Sequence, residues 1–293
     1  MAHHHHQVTD NIRTAFFINL VFSILEILGG VYTNSLAIIS DALHDLGDSL
    51  SLAVAWYFEK ISGKKNDHNY SFGYKRFTVL GAIINAIILV AGSVVIIIEA
   101  IPRLFNPEEV NAKGMIILAV LGIVFNGAAI LKLKGNHQSL NSRMVMLHLM
   151  EDVLGWVAVL IGSIVLLFTN LPIIDPILSL IVTLFILYNV FKNLKESVKI
   201  ILQAIPKEMN LQLIEQQILS IEFIDKVHNL HIWTMDGEYH VLSVHLVINK
   251  NFTIDEVANI KQQVRAKLGD EKIKHFTIEV ECADKDCSNI DVK

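Results

Sequence analysis

Six apolar stretches fill the first two thirds of the chain: about Ile12–Tyr32, Leu36–Phe58, Phe77–Ile101, Gly114–Leu133, Met144–Thr169 and Pro176–Leu194. A hydrocarbon core of about 30 Å, crossed at about 1.5 Å per residue, needs runs of this length, so the pattern predicts six transmembrane helices. After Pro206 the pattern changes. Asn210–Ile221 repeats its apolar positions at helical spacing. Val227–Met235 and Tyr239–Ile248 read as strands joined by the turn Asp236-Gly237. Thr253, with Glu256 three residues on, predicts a capped helix to about Leu268. Phe276–Glu281 alternates as a last strand. The order αββαβ predicts a small ferredoxin-like α+β domain with its helices on one face of a three-stranded sheet. The expected organisation is a His-rich segment at 1–11, a six-helix membrane domain at 12–200, a soluble domain at 206–283 and a loose polar tail at 284–293.

Composition agrees with this division. The chain is 53% hydrophobic and only 18% charged, below the quarter that soluble domains carry. Its mean hydropathy is +0.48. The net charge of −5 gives no reason to expect nucleic acid binding. Lysines and arginines orient the spans. Lys60, Lys64, Lys65, Lys75 and Arg76 follow span two, Lys132, Lys134 and Arg143 follow span four, and Lys192, Lys195 and Lys199 follow span six. Thr33–Ser35 and Asn170–Asp175 carry none. The positive-inside rule then places both termini in the cytoplasm. The glycines within the spans, among them Gly29, Gly30, Gly122 and Gly155, read as close helix contacts. Two cysteines, Cys282 and Cys287, make no disulfide framework, and their spacing is not the usual metal-binding interval. His3–His6 fit either a purification tag or a native metal-collecting run, and carry no weight in the fold.

The chemistry lies in span two. Asp41, His44, Asp45 and Asp48 fall at i, i+3, i+4 and i+7, on one helical stripe. Span five carries His148, Glu151 and Asp152. Ionisable groups are costly in a membrane and mark function by default. So many of them call for a neutralising cation. His44 with Asp48, and His148 with Asp152, share the four-residue spacing that puts two side chains on one face. Two imidazoles and two carboxylates can close a tetrahedral zinc shell, although spacing alone does not choose among the carboxylates. Nitrogen with oxygen suits zinc, cadmium or cobalt better than manganese or magnesium. Glu26, Asn19, Asn85, Glu99 and Asn126 fit a proton or metal path, or hydrogen bonds between helices. Glu26 is the clearest exception to the second reading, as an ionisable residue deep in a span.

Several motifs together resemble the cation diffusion facilitators, a family of zinc/proton antiporters, and within it the bacterial zinc and cadmium efflux members. They are Ser35-Leu36-Ala37-Ile38-Ile39-Ser40-Asp41-Ala42-Leu43-His44 followed by Asp48, His148-x-x-x-Asp152-x-x-Gly155, Ser71-Phe72-Gly73-Tyr74-Lys75-Arg76, and Val227-His228-x-Leu230-His231-Ile232-Trp233. The resemblance covers about residues 10–282. It implies a transport site of His44, Asp48, His148 and Asp152, with Asp41 and Asp45 outside the shell. It also implies a homodimer whose cytosolic domains meet, and cytosolic zinc held by His228, His245, Glu281 and His275. Zinc would be both the transported substrate and a structural or regulatory ion. The short connection at Lys134–Ser142 favours a bacterial plasma membrane. Many relatives carry a further site between spans two and three. Here Asp67 stands at its acidic position but Tyr70 and Tyr74 at its histidines, with His68 nearby, so that site is expected to be absent or weak.

The mechanism these residues support is competition. Zinc takes neutral imidazole and ionised carboxylate, so binding releases protons and protonation expels metal. Alternating access would turn that competition into zinc efflux driven by inward protons, with zinc, protons and membrane lipid as the partners. Preference for cadmium, cobalt, nickel or iron stays open. An intramembrane zinc hydrolase and a zinc sensor are the rival classes. A catalytic zinc usually keeps three protein ligands and an open position, whereas two His-x-x-x-Asp pairs make a closed shell.

Overall fold

The computed structural model describes residues 2–62, 66–133, 140–249, 253–269 and 273–282. Side chains are described for most of these, but not for residues 2–15 or 140–148. Six long helices come first: α1 (Ala2–Thr33), α2 (Leu36–Ser62), α3 (Arg76–Phe105), α4 (Ala112–Leu133), α5 (Leu140–Thr169) and α6 (Ile174–Ile201). Then follow α7 (Leu211–Leu219), β1 (Ile224–Thr234), β2 (His240–Ile248), α8 (Ile254–Lys267) and β3 (Ile273–Cys282). The chain forms two compact units, 1–64 with 81–194, and 65–80 with 195–293. The stretch between α2 and α3 thus belongs with the C-terminal unit.

The first unit buries many polar side chains and exposes many apolar ones. Ser23, Glu26, Ser40, Asp41, Asp45, Ser49, Asn126, Ser163 and Thr183 are buried, while Val31, Ile98, Phe168 and Leu184 are exposed. That inversion suits a lipid surround, in which apolar side chains have nothing to escape. Among the described residues, Arg76–Phe105, Leu149–Thr169 and Ile174–Ile201 are long and apolar enough to cross a membrane. Asn19–Thr33 and Ala112–Ala128 are shorter apolar helices. Six spans are expected from the sequence and three meet this measure. In α2 the aspartates at 41, 45 and 48 interrupt the apolar run.

Tertiary contacts fix α2 from several sides. Its first turn is capped by the Asp175 carboxylate at the start of α6, which accepts from the Ser35 hydroxyl, from Leu36 N (2.8 Å) and from Ala37 N (3.3 Å). The Ser40 and Thr183 hydroxyls meet at 2.8 Å one turn further on. From α1, the Asn19 amide donates to Asp45 O (3.0 Å) and Ser49 Oγ (3.1 Å). An apolar cluster of Ala37, Ile38, Met115, Ala119, Trp156 and Val159 joins α2, α4 and α5. Gly122 is needed there, because a Cβ would stand 2.3 Å from the Trp156 ring.

The second unit is built the ordinary way round. β1 and β2 are antiparallel, β2 and β3 parallel, in the order β1-β2-β3. The parallel pair needs a crossover, which α8 supplies. Ile214 and Ile218 of α7, Ile260 and Val264 of α8, and Ile232, Leu242, Leu246 and Ile278 of the sheet fill one core. Each large aliphatic contributes about 1.5–3 kcal/mol by leaving water. Asn210 caps α7, and Thr253 with Glu256 forms the expected capping box on α8. At the β1–β2 turn, Gly237 takes φ +100 and the Asp236 carboxylate accepts from Glu238 N and Tyr239 N.

Candidate metal centres

His44 and Asp48 lie one turn apart on α2, with His44 Nε2 3.7 Å from an Asp48 carboxylate oxygen, each side chain about a quarter exposed. They are less buried than Asp41 and Asp45, at 6% and 5%. Asp152 stands on α5, half-buried. α5 carries His148 one turn before Asp152, and the His148 side chain lies outside those described. α2 packs against α5, and Asp41 marks the approach: a Cβ on Gly155 would be 3.4 Å from its Oδ1. Asp41 also acts electrostatically on Asp48 and Asp152, so the carboxylates of the two helices share one region. Glu151 is exposed.

The cytosolic sheet holds the tighter group. Among the described residues, His228, His245 and Glu281 bring one ligand atom each within 4.8 Å of one another. His245 Nδ1 is 2.7 Å from Glu281 Oε1, and His228 Nε2 is 3.1 Å from Glu281 Oε2. Zinc bonds of about 2.0–2.2 Å would set such atoms about 3.4 Å apart, so the trio needs to spread only slightly to take the ion. Glu279, opposite His245 in the ladder, reaches His245 Nε2 at 3.4 Å. His228 and His231 are three residues apart, yet they pair with His245 and Ser243, two residues apart on one face of β2. A bulge makes this possible, with Asn229 at φ 49. His275 is not part of the trio: it pairs with Val241, and its ring lies edge-on to Phe72 at 5.4 Å. His240 is fully buried on the opposite face and stands 3.5 Å from Glu208.

Asp67, at the start of the segment between α2 and α3, is held by local donors. It accepts from Asn69 N and Tyr70 N (2.9 Å each) and from the Tyr74 hydroxyl (2.7 Å). The Asp67 carboxylate holds the Tyr74 phenol above the usual tyrosine value. Tyr70, Tyr74 and Phe77 stack beside it. Lys75 completes the segment's attachment, 3.8 Å from Asp236 and 4.5 Å above the Tyr239 ring. Cys287 lies outside the described residues, as does the Cys282 side chain. Sequence reasoning missed Asp175 and the Lys75 attachment. An aspartate one residue before Pro176 was the available sign of a cap, but nothing local showed that it caps a different helix.

Two family models match. The cation efflux transmembrane domain covers residues 12–202, and the cation efflux protein cytoplasmic domain covers residues 206–283. A cadmium, cobalt and zinc/H(+)-K(+) antiporter of Bacillus subtilis is 36% identical over 96% of this chain and 92% of its own length. The metal cation efflux system protein CzcD of Cupriavidus metallidurans is 34% identical over 93% of this chain and 86% of its own. The zinc transporter ZitB of Escherichia coli is 31% identical over 98% and 96%. Two matched domains in tandem and relatives aligned end to end leave one assignment: the chain belongs to the cation efflux family, the cation diffusion facilitators, and is an integral membrane cation transporter rather than an enzyme.

Proposed function

We propose that this protein exports zinc from the cytoplasm in exchange for protons, through a tetrahedral site of His44, Asp48, His148 and Asp152. The observation that carries the reading is the His44–Asp48 pair, 3.7 Å apart and partly open on α2, against α5 with its Asp152. Partly open side chains suit ions that must enter and leave. Metal binding needs neutral imidazole and ionised carboxylate, so loading the site releases protons and protonation empties it. The names of relatives, an H(+)-K(+) antiporter and zinc transporters, support both cargo and counter-ion. The same names support cadmium and cobalt as further cargo.

The apolar pattern supports six spans, the lysine and arginine distribution puts both termini in the cytoplasm, and the short connection at Lys134–Ser142 favours a bacterial plasma membrane by family resemblance. The domain division at 12–200 and 206–283 belongs to the same reading. His228, His245 and Glu281 form a second, regulatory zinc site, with His275 contributing only if the dimer brings it in, and the soluble domains join two copies. A sensor role is the second reading, favoured by the compactness of the cytosolic trio. Reconstituted vesicles separate the two. Zinc flux that follows an imposed pH gradient, and vanishes in Asp48→Ala, supports exchange. Zinc binding without flux would leave the sensor, and flux indifferent to the gradient would end the proton claim.

A further inference from the structure

Glu26 is an acidic side chain that the four-ligand site does not use. It lies in the last third of α1, only 2% exposed, with its carboxyl against that of Asp45 on α2 and no other side-chain hydrogen bond among the described residues. The ionisable groups that act on it are all carboxyls: Asp45 first, then Asp41, both on α2, and Asp152 on α5. Asp41 and Asp45 are themselves buried. Among the described residues, no basic group acts on Glu26.

Carboxylates this close cannot all be ionised in a medium of low polarity. A cation must sit among them in every state of the transporter. When metal occupies the site beside Asp48 and Asp152, its charge serves the cluster. When the metal leaves, repulsion returns and a proton must replace it. Asp41 and Asp45 lie on the helix that carries two of the proposed ligands, Asp45 next in sequence to His44, so a charge change there falls on the segment that holds the metal. Glu26 is on another helix, so it can accept a proton without giving up a bond to the metal.

Resting on the exchange reading above, we infer that Glu26 is a proton-carrying carboxyl of the transport cycle, protonated while the metal site is empty and ionised when metal arrives. The step is a simple transfer. A proton from water attaches to a Glu26 carboxylate oxygen as the metal departs, and returns to water when the next metal enters.

The test counts protons. Zinc titrated into the full-length protein in detergent, in buffers of different ionisation enthalpy, gives protons released per zinc. Glu26→Gln, which mimics the protonated form, should release about one proton fewer per zinc. Its zinc affinity should change by less than about tenfold, the smallest loss expected for a group that orients a ligand. Glu26→Asp should keep the wild-type count. In vesicles the proton influx per zinc should fall in the Gln variant and persist in the Asp variant. A wild-type count in Glu26→Gln overturns the inference, and so does a larger affinity loss, which would make Glu26 part of the metal shell. Should the Gln variant not fold, the infrared band of a protonated carboxyl that zinc removes from wild type must shift in Glu26→Asp, and an unmoved band overturns the inference. Zinc transport without proton movement in wild type defeats the exchange reading itself. Normal coupling in both wild type and Glu26→Gln defeats only the assignment of Glu26.

Discussion

The two units of this protein bury opposite things. The helical unit hides Glu26, Asp41, Asp45, Asp175 and a set of serines beside its apolar cluster, and turns many valines, isoleucines and leucines outward. The sheet unit hides isoleucines, leucines and valines, and leaves His228, His245 and Glu281 partly open. The same physics operates in both. Water drives apolar groups inward in the second unit, whereas lipid has no such effect in the first, where polar groups need partners that only the protein supplies. The metal-binding chemistry follows suit. The proposed membrane site lies beside the buried carboxyls of Asp41 and Asp45, so losing its cation would be costly. The cytosolic trio lies at a partly exposed surface, where losing a cation would cost less and its role would be optional.

That contrast can be broken by experiment, beginning with the largest effect. Asp48→Ala should lower zinc transport in vesicles by at least about 100-fold, the upper end of what even an indirect partner costs a metal site. Full transport in that variant would place the cargo site elsewhere. Glu281→Gln removes the residue that bridges both cytosolic histidines. It should weaken zinc binding at that trio by about 10–100-fold while zinc still crosses the membrane, read by calorimetry and vesicle flux on the same preparation. Equal loss of both would contradict the optional role of the sheet site.

Asp175→Ala removes the cap of α2 and should cost about 2 kcal/mol, seen as a lower unfolding midpoint in detergent. An unchanged midpoint would show that lipid-facing packing, not polar capping, holds that helix. Smallest is Asn229→Ala, which puts a β-carbon-bearing residue without a helpful amide at φ 49. It should cost about 1 kcal/mol, and Asn229→Gly nothing or a slight gain. If the two behave alike, the bulge does not depend on that backbone conformation.

Much of this was legible because it is local. The αββαβ order, the cap at Thr253 and the turn at Asp236-Gly237 appear where turn chemistry and periodicity put them. The His44–Asp48 pair is equally local, since a helix converts a four-residue spacing into a shared face without any help from the rest of the chain. Three of the six expected spans meet the length and hydropathy measure among the described residues, and α2, whose aspartates at 41, 45 and 48 interrupt its apolar run, is not one of them.

What the sequence determined by itself, then, is each helix, its polar stripe and the place of each strand. Tertiary structure alone decided which distant groups meet. It brought Asp175 of α6 to the first turn of α2, Glu26 to the acidic face of α2, and the segment 65–80 into the C-terminal unit through Lys75. It also inserted the bulge that puts His228 and His231 on one face, and left His275 against Phe72. The physical reason is range. A helical face is set by bonds four residues long, but a cap, a bulge or a buried acid exists only once a second element has been packed against it.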